Sequence, residues 1–293
     1  MSQLKAPELI LSSADTPPRI LPPGNDLFAT RAARFDTLAD GHPMEAALRF
    51  LAGLHIAQQE AFALPALVTK PDDCSFPASE SRLPATWQSV LHHLLEHSLP
   101  AAPAATRALI AGLRATDPAG LDALGRAVLS GHTGDSDAGS RALVWAALQV
   151  VWTRHASRMP VSADTPHTER DLCPCCGTPA VAAVVRIGGS VAGLRYLHCP
   201  LCNTQWNAMR ARCTSCESVR EVSRHRLEDA PTNPWPAASA ESCEECGSYR
   251  KVFYQDKDPK ADPIADDLAS LALDILMGEA GFARSGWNPF LDA

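Results

Sequence analysis

CPCC at 173–176, CPLC at 199–202, CTSC at 213–216 and CEEC at 243–246 are four Cys-x-x-Cys turns, and they hold eight of the ten cysteines of this 293-residue chain. A turn of this kind sets two sulfurs on one side of a tight loop, about as far apart as two corners of a tetrahedron around a metal ion. Two such turns complete a four-thiolate cage, which suits zinc or a single iron. Four turns within 74 residues therefore point to two metal sites. The candidate ligands are Cys173, Cys176, Cys199, Cys202, Cys213, Cys216, Cys243 and Cys246.

Strand-forming runs surround the turns. Residues 180–187 and 191–198 are β-prone and are joined by Gly188-Gly189-Ser190, a hairpin signal between the first two knuckles. Residues 219–227 and 250–254 read as strands flanking a Pro-rich stretch and the fourth knuckle. The spacings are C-x2-C-x22-C-x2-C and then C-x2-C-x26-C-x2-C, an internal repeat of architecture. Sequential pairing, first knuckle with second and third with fourth, keeps each loop closure local and its entropy cost small. The cross-braced alternative pairs first with third and second with fourth.

Before residue 170 the periodicity is helical. Leu27, Phe28, Phe35 and Leu38 define one helix, with Asn25 or Asp26 as its cap. Met44, Ala47, Leu48, Leu51, Leu54 and Phe62 define the next, and Trp87, Val90, Leu91, Leu94 and Leu95 a third. Further helices are expected over 106–116, 118–130 (Asp117 capping) and 138–157. The run 143–152 is too short to cross a bilayer and reads as a buried helix. At the C-terminus, residues 263–277 place Ile264, Leu268, Leu271, Ile275 and Leu276 on one helical face, with Asp266, Asp267 and Asp274 elsewhere.

The expected fold is thus α+β and multi-domain. It has an extended arm over 1–25, an all-α domain over 26–165, two tandem rubredoxin-like or zinc-ribbon modules over 166–210 and 211–262, and a C-terminal helix and tail over 263–293. PVSADTPHTERD at 160–171 is the linker. Apolar residues make up 46% of the chain, enough for a sizeable core. The N-terminus, MSQLKAPELILSS, has no basic region followed by an apolar stretch, so a cytoplasmic location is expected. There, free thiols fit metal ligation better than a disulfide scaffold. The formal charge is −7, and two loaded sites at −2 each bring it to about −11. That acidity opposes non-specific nucleic-acid binding.

Other candidates have plainer readings. HHLLEH at 92–97 puts His93 and His97 one turn apart, but it lacks the H-E-x-x-H order, so a surface or helix-capping role is expected. His198 belongs beside the first site or at the surface, and Trp206 packs against the first ribbon. Cys175 is an extra thiol rather than a ligand, and Cys74 is a lone loop cysteine. Arg210, Arg212, Arg220, Arg224, His225, Arg226, Arg250 and Lys251 gather around the second ribbon. They either balance thiolate charge or dock an acidic partner or nucleic acid. No G-x-S-x-G, phosphate-cradling G-x-x-x-x-G-K-[ST], G-x-G-x-x-G or H-E-x-x-H occurs, and no catalytic or organic-cofactor residues are assigned. Closed four-thiolate sites leave no open position for substrate, which argues against a hydrolase.

CPCCGTPA at 173–180, LHCPLCNTQW at 197–206, CTSCES at 213–218 and ESCEECGSYRK at 241–251 resemble the formate dehydrogenase accessory protein family, FdhE. The resemblance is specific over about 165–275 and architectural before that. It implies a non-catalytic maturation factor that binds the catalytic subunit of a respiratory formate dehydrogenase in the cytoplasm. It also implies rubredoxin-type iron in both sites, with zinc as the alternative. The competing functions are a zinc-ribbon nucleic-acid-binding protein and a rubredoxin-like electron carrier.

Overall fold

The computed structural model describes residues 17–64, 77–80, 82–131, 137–159, 171–227 and 234–291. Cys74, most of the 1–25 arm and most of the 160–171 linker lie outside them. Six helices form the first half: α1 (Leu27–Ala39), α2 (Glu45–Ala63), α3 (Trp87–Ser98), α4 (Ala104–Ala115), α5 (Pro118–Leu129) and α6 (Ala138–Ala156). Asp117 and Asp137 cap α5 and α6 by accepting from the backbone N–H of Gly120 and Ser140, each at 2.8 Å. Asp26 precedes α1 but its side chain makes no cap bond.

α6 is the helical hub. Every residue from Leu143 to Arg154 is buried, consistent with a helix that is apolar nearly all round. α2, α3, α4 and α5 pack against it. No described helix is long and apolar enough to cross a membrane.

The second half is one sheet. Its strands are β2 (Ala182–Val185), β3 (Arg195–His198), β4 (Gln205–Ala208), β5 (Val222–His225), β6 (Ala238–Cys243), β7 (Ser248–Tyr254) and β8 (Ala283–Arg284), joined by β1 (Ile20–Leu21) from the N-terminal arm. The order is β1-β4-β3-β2-β7-β6-β5, with β8 also pairing β7. β2, β3 and β4 are antiparallel neighbours, as are β5, β6 and β7. The two ribbons are fused by a parallel pairing of β2 with β7, where Ala183, Val184 and Val185 lie opposite Val252, Phe253 and Tyr254. One apolar core runs from Phe28 through α6 and the ribbons to Met277.

The C-terminal segment departs from expectation. In place of one amphipathic helix there are two, α7 (Ala265–Ala269) and α8 (Leu271–Glu279), broken at Ser270. α7 is buried on every side, including Asp266 and Asp267, whereas Ile275 and Leu276 are 63% and 48% exposed. The aspartates go inside because buried cations meet them. Arg34 Nε donates to Asp266 Oδ2 at 2.8 Å, Lys251 lies 3.4 Å from Asp267 Oδ1, and Arg31 Nε donates to the nearby Asp262 at 2.9 Å. An apolarity pattern cannot distinguish a solvated carboxylate from a paired one.

Candidate metal centres

The four Cys-x-x-Cys turns share a backbone conformation. In three of them the carbonyl of the first cysteine accepts from the N–H of the residue after the second cysteine: Gly177 to Cys173 at 2.8 Å, Glu217 to Cys213 at 3.1 Å and Gly247 to Cys243 at 2.9 Å. In all four turns that following residue has a positive φ, namely Gly177, Asn203, Glu217 and Gly247, at 75°, 58°, 63° and 63°. Glycine and asparagine suit this left-handed conformation; Glu217 adopts it at a steric cost.

The turns bring the sulfurs together in sequential pairs. Cys173, Cys176, Cys199 and Cys202 form one group and Cys213, Cys216, Cys243 and Cys246 the other, with all sulfurs of a group within 4.8 Å of one another. In the first group Cys173 Sγ is 3.4 Å from Cys202 Sγ, and Cys176 Sγ is 3.4 Å from Cys199 Sγ. The corresponding separations in the second group, Cys213 to Cys246 and Cys216 to Cys243, are both 3.7 Å. A tetrahedron with metal–sulfur bonds of about 2.3 Å has edges of about 3.8 Å. Both groups therefore fit a single thiophilic ion. The separations also far exceed an S–S bond of about 2 Å, and all of these cysteines are free.

The two environments differ. The sulfurs of the first group belong to residues at most 1% exposed, whereas Cys216 and Cys246 of the second are exposed. Burial pushes the Cys173 and Cys199 thiols well above their ordinary value. At Cys202 burial acts in the same direction, but donation from the neighbouring thiols overcomes it and draws that sulfur well below. At Cys246 burial is likewise outweighed, by hydrogen bonds from Ser248, and the thiol sits at about 7. Four thiolates without a cation are untenable inside a protein, so a bound ion is what would keep the first group ionised. The N–H groups of Leu201 and Cys202 approach Cys199 Sγ at 3.4 and 3.3 Å, and that of Ser215 approaches Cys213 Sγ at 3.4 Å. Such donors lower the charge a bound ion must neutralise.

The first centre is tied to the helical half through the second knuckle. Trp145 Nε1 and Gln149 Nε2, on α6, both donate to the Pro200 carbonyl, at 3.1 and 2.6 Å. Asn203 Nδ2 donates to Thr153 Oγ1 at 2.8 Å, and Arg31 Nη2 donates to Asn203 Oδ1 at 3.0 Å. His198 is internal, not a surface residue. Its Nε2 lies 3.1 Å from Asn203 Oδ1 and 3.3 Å from Arg31 Nη2, and burial, reinforced by Arg31, holds its pKa down to about 4. Trp206 is fully buried on β4 opposite Leu197 and Ile20.

The expected basic cluster is only partly a surface. Arg250 Nε donates to Thr214 Oγ1 at 2.9 Å, Lys251 Nζ donates to the Asp267 carbonyl at 2.7 Å, and both residues are buried. Alternation along β7 does not reveal this, because both faces of that strand are covered. Arg195, unremarked in the sequence, supplies a further internal cation, donating to the Arg212 carbonyl at 2.8 Å and pairing with Glu241. Cys175 stays outside the first group, its Sγ 3.0 Å from Met159 Sδ. A cleft of about 460 Å³, lined in part by Arg141, Trp145, Cys176, Thr178 and Trp287, opens beside the first knuckle.

His93 and His97 do not simply face solvent. They meet Glu60 of α2, a residue that spacing within α3 cannot reveal.

Comparison with known proteins covers nearly the whole chain. The family models "FdhE, N-terminal", "FdhE, central domain" and "FdhE, C-terminal domain" match residues 16–169, 172–210 and 211–291. The helical half therefore carries family likeness beyond its architecture. A "Protein FdhE homolog" of Edwardsiella ictaluri is 39% identical over 285 residues, covering 94% of this chain and 91% of the relative. The "Protein FdhE" of Salmonella typhimurium is 36% identical over 286 residues with the same coverage. The crystal structure of the FdhE protein from Pseudomonas aeruginosa superposes with a TM-score of 0.79 at 33% identity, covering 94% of this chain and 99% of that one. A helical half followed by a sheet with two four-cysteine groups, matched along its length by all three models, places this chain in the FdhE family.

Proposed function

We propose that this chain is a maturation factor, not a catalyst, which binds the catalytic subunit of a respiratory formate dehydrogenase in the cytoplasm. Family membership along the whole chain supports a formate dehydrogenase accessory protein, and it is the observation that carries this reading. Cys173, Cys176, Cys199 and Cys202 would hold one metal ion, and Cys213, Cys216, Cys243 and Cys246 a second. The separations of 3.4 and 3.7 Å support both assignments. Rubredoxin-type iron is the favoured occupant. When bound, such an ion cross-links two turns and can undergo outer-sphere one-electron exchange.

The protein's own residues do the rest. The knuckle backbones orient the sulfurs, and α6 grips the second knuckle through Trp145 and Gln149. The sheet and helices are thereby held as one body on which a partner can dock.

The test is affinity capture of the full chain from anaerobically grown cells. Recovery of a formate dehydrogenase catalytic subunit is the expected result, and repeated capture without it rejects the reading. Metal analysis of anaerobically prepared protein distinguishes iron from zinc.

A further inference from the structure

Where α2 and α3 pack together, two imidazoles and a carboxylate converge. His93 Nε2 lies 3.6 Å and His97 Nε2 4.0 Å from the same oxygen, Oε2 of Glu60. The three atoms lie within 4.8 Å of one another. The imidazole rings are stacked, with centroids 3.9 Å apart and planes 26° apart.

The hydrogen bonds decide which way the rings present their lone pairs. His97 Nδ1 is 2.8 Å from the His93 carbonyl oxygen, which can only accept, so Nδ1 carries the proton. In the neutral ring Nε2 then offers its lone pair toward Glu60. This is the arrangement metal-ligating histidines commonly show, one ring nitrogen anchored to a carbonyl and the other free for the ion. His93 Nε2 adds a second sign: it is sealed from solvent, and Glu60 Oε2 at 3.6 Å stands just beyond hydrogen-bond distance. A polar atom in that position, beside a carboxylate and a second lone pair, is stabilised when a metal cation or a shared proton sits among them.

We propose that Glu60, His93 and His97 form a third metal site, open to water at its remaining positions and suited to a borderline divalent transition ion such as Zn²⁺ or Ni²⁺. Two imidazoles and a carboxylate favour such ions over Ca²⁺ or Mg²⁺, which prefer all-oxygen shells. With metal–ligand bonds of about 2.0–2.2 Å, tetrahedral donors stand about 3.3–3.6 Å apart, so His97 Nε2 and Glu60 Oε2, at 4.0 Å, must close by about half an ångström. Glu60 and His97, whose side chains are 49% and 44% exposed, have the freedom to do so. Lacking thiolates and lying on the surface, the site binds more weakly and exchanges faster than the two sulfur cages.

The experiment uses the full chain with both thiolate centres already loaded, dialysed against micromolar Zn²⁺. Wild type is expected to take up one ion more than the His93→Gln/His97→Gln double variant, while both keep the two thiolate-bound ions. Glu60→Gln is expected to weaken the extra ion about tenfold or more. His97→Gln alone alters an exposed side chain and serves if the double variant misfolds. Histidine-selective ¹⁵N NMR should show zinc-dependent shifts at Nε2 of His93 and His97. Equal uptake by wild type and both histidine variants overturns the proposal, as do zinc-dependent shifts confined to other histidines. Either result would leave Glu60 merely sharing a proton with the pair.

Discussion

Arg34 on α1 and Asp266 on α7, 232 positions apart, are joined by a buried hydrogen bond of 2.8 Å from Nε to Oδ2. Asp258 adds a second carboxylate to the same guanidinium at 2.7 Å, and the Asp262 N–H donates to Asp266 Oδ2. This pairing lets a helix with two adjacent aspartates serve as core. Removing Asp266 takes the acceptor from Arg34 Nε and from the Asp262 N–H and leaves the buried guanidinium with Asp258 alone. Asp266→Ala should therefore destabilise by about 3–5 kcal/mol, read from the urea midpoint. The double change Arg34→Met/Asp266→Leu should cost clearly less than the single one. If the single variant is as stable as wild type, the pair contributes nothing.

The two sulfur groups should part with metal at different rates. The first is enclosed, while Cys216 and Cys246 of the second meet solvent. A strong chelator is expected to release one equivalent quickly and the other slowly, followed by a colorimetric indicator. Cys216→Ser should abolish the fast phase and Cys199→Ser the slow one. Release in a single phase, or loss of half an equivalent from both sites in each variant, would contradict the sequential grouping.

His55 supplies a pH dependence. Its ring is fully buried beside Phe35, at 5.0 Å between centroids, and Phe290, at 5.4 Å. Burial, with Arg31 adding to it and Asp262 opposing, lowers its pKa to about 3. The folded value is depressed below the unfolded value of about 6.5, so the unfolded chain takes up this proton first. Stability from this residue is intact above pH 6.5 and falls as the pH drops toward 3. The loss reaches about 2 kcal/mol by pH 5. His55→Leu should remove that part of the difference in urea midpoint between pH 7.5 and pH 5. An unchanged difference would mean that His55 titrates normally.

Gly286 is fixed by a close approach. A Cβ there would lie 1.9 Å from the Val181 carbonyl oxygen and 2.9 Å from its carbon, both main chain and unable to yield. Gly286→Ala should cost about 3 kcal/mol or free the tail. That tail seats Trp287 edge-on against Trp145 at 4.5 Å and lets Asn288 Nδ2 donate to the Ile264 carbonyl at 3.0 Å. Melting temperature and limited proteolysis after residue 284 are the measurements. Wild-type values in both would show that the main chain can move apart.

Local chemistry made the four knuckles, the hairpin over β2 and β3 and the six N-terminal helices legible along the chain. Thiol spacing, turn residues and helical periodicity act over a few residues, so neighbouring positions suffice to reveal them. β6 was hidden because Ala237, Ala238 and Ser239 follow a Pro-rich stretch and carry little strand preference of their own. Its place is set by pairing on both sides, with β5 and β7.

What the amino-acid order determined by itself was which sulfurs exist and how they come in pairs. Three decisions belonged to the tertiary structure: the parallel seam of β2 with β7, the burial of Asp266, Asp267, Arg250 and Lys251, and the meeting of Glu60 with His93 and His97. The physical reason is common to all three. A strand edge, a charge or a lone pair has no preference for burial until a partner from a distant segment removes the cost of leaving water.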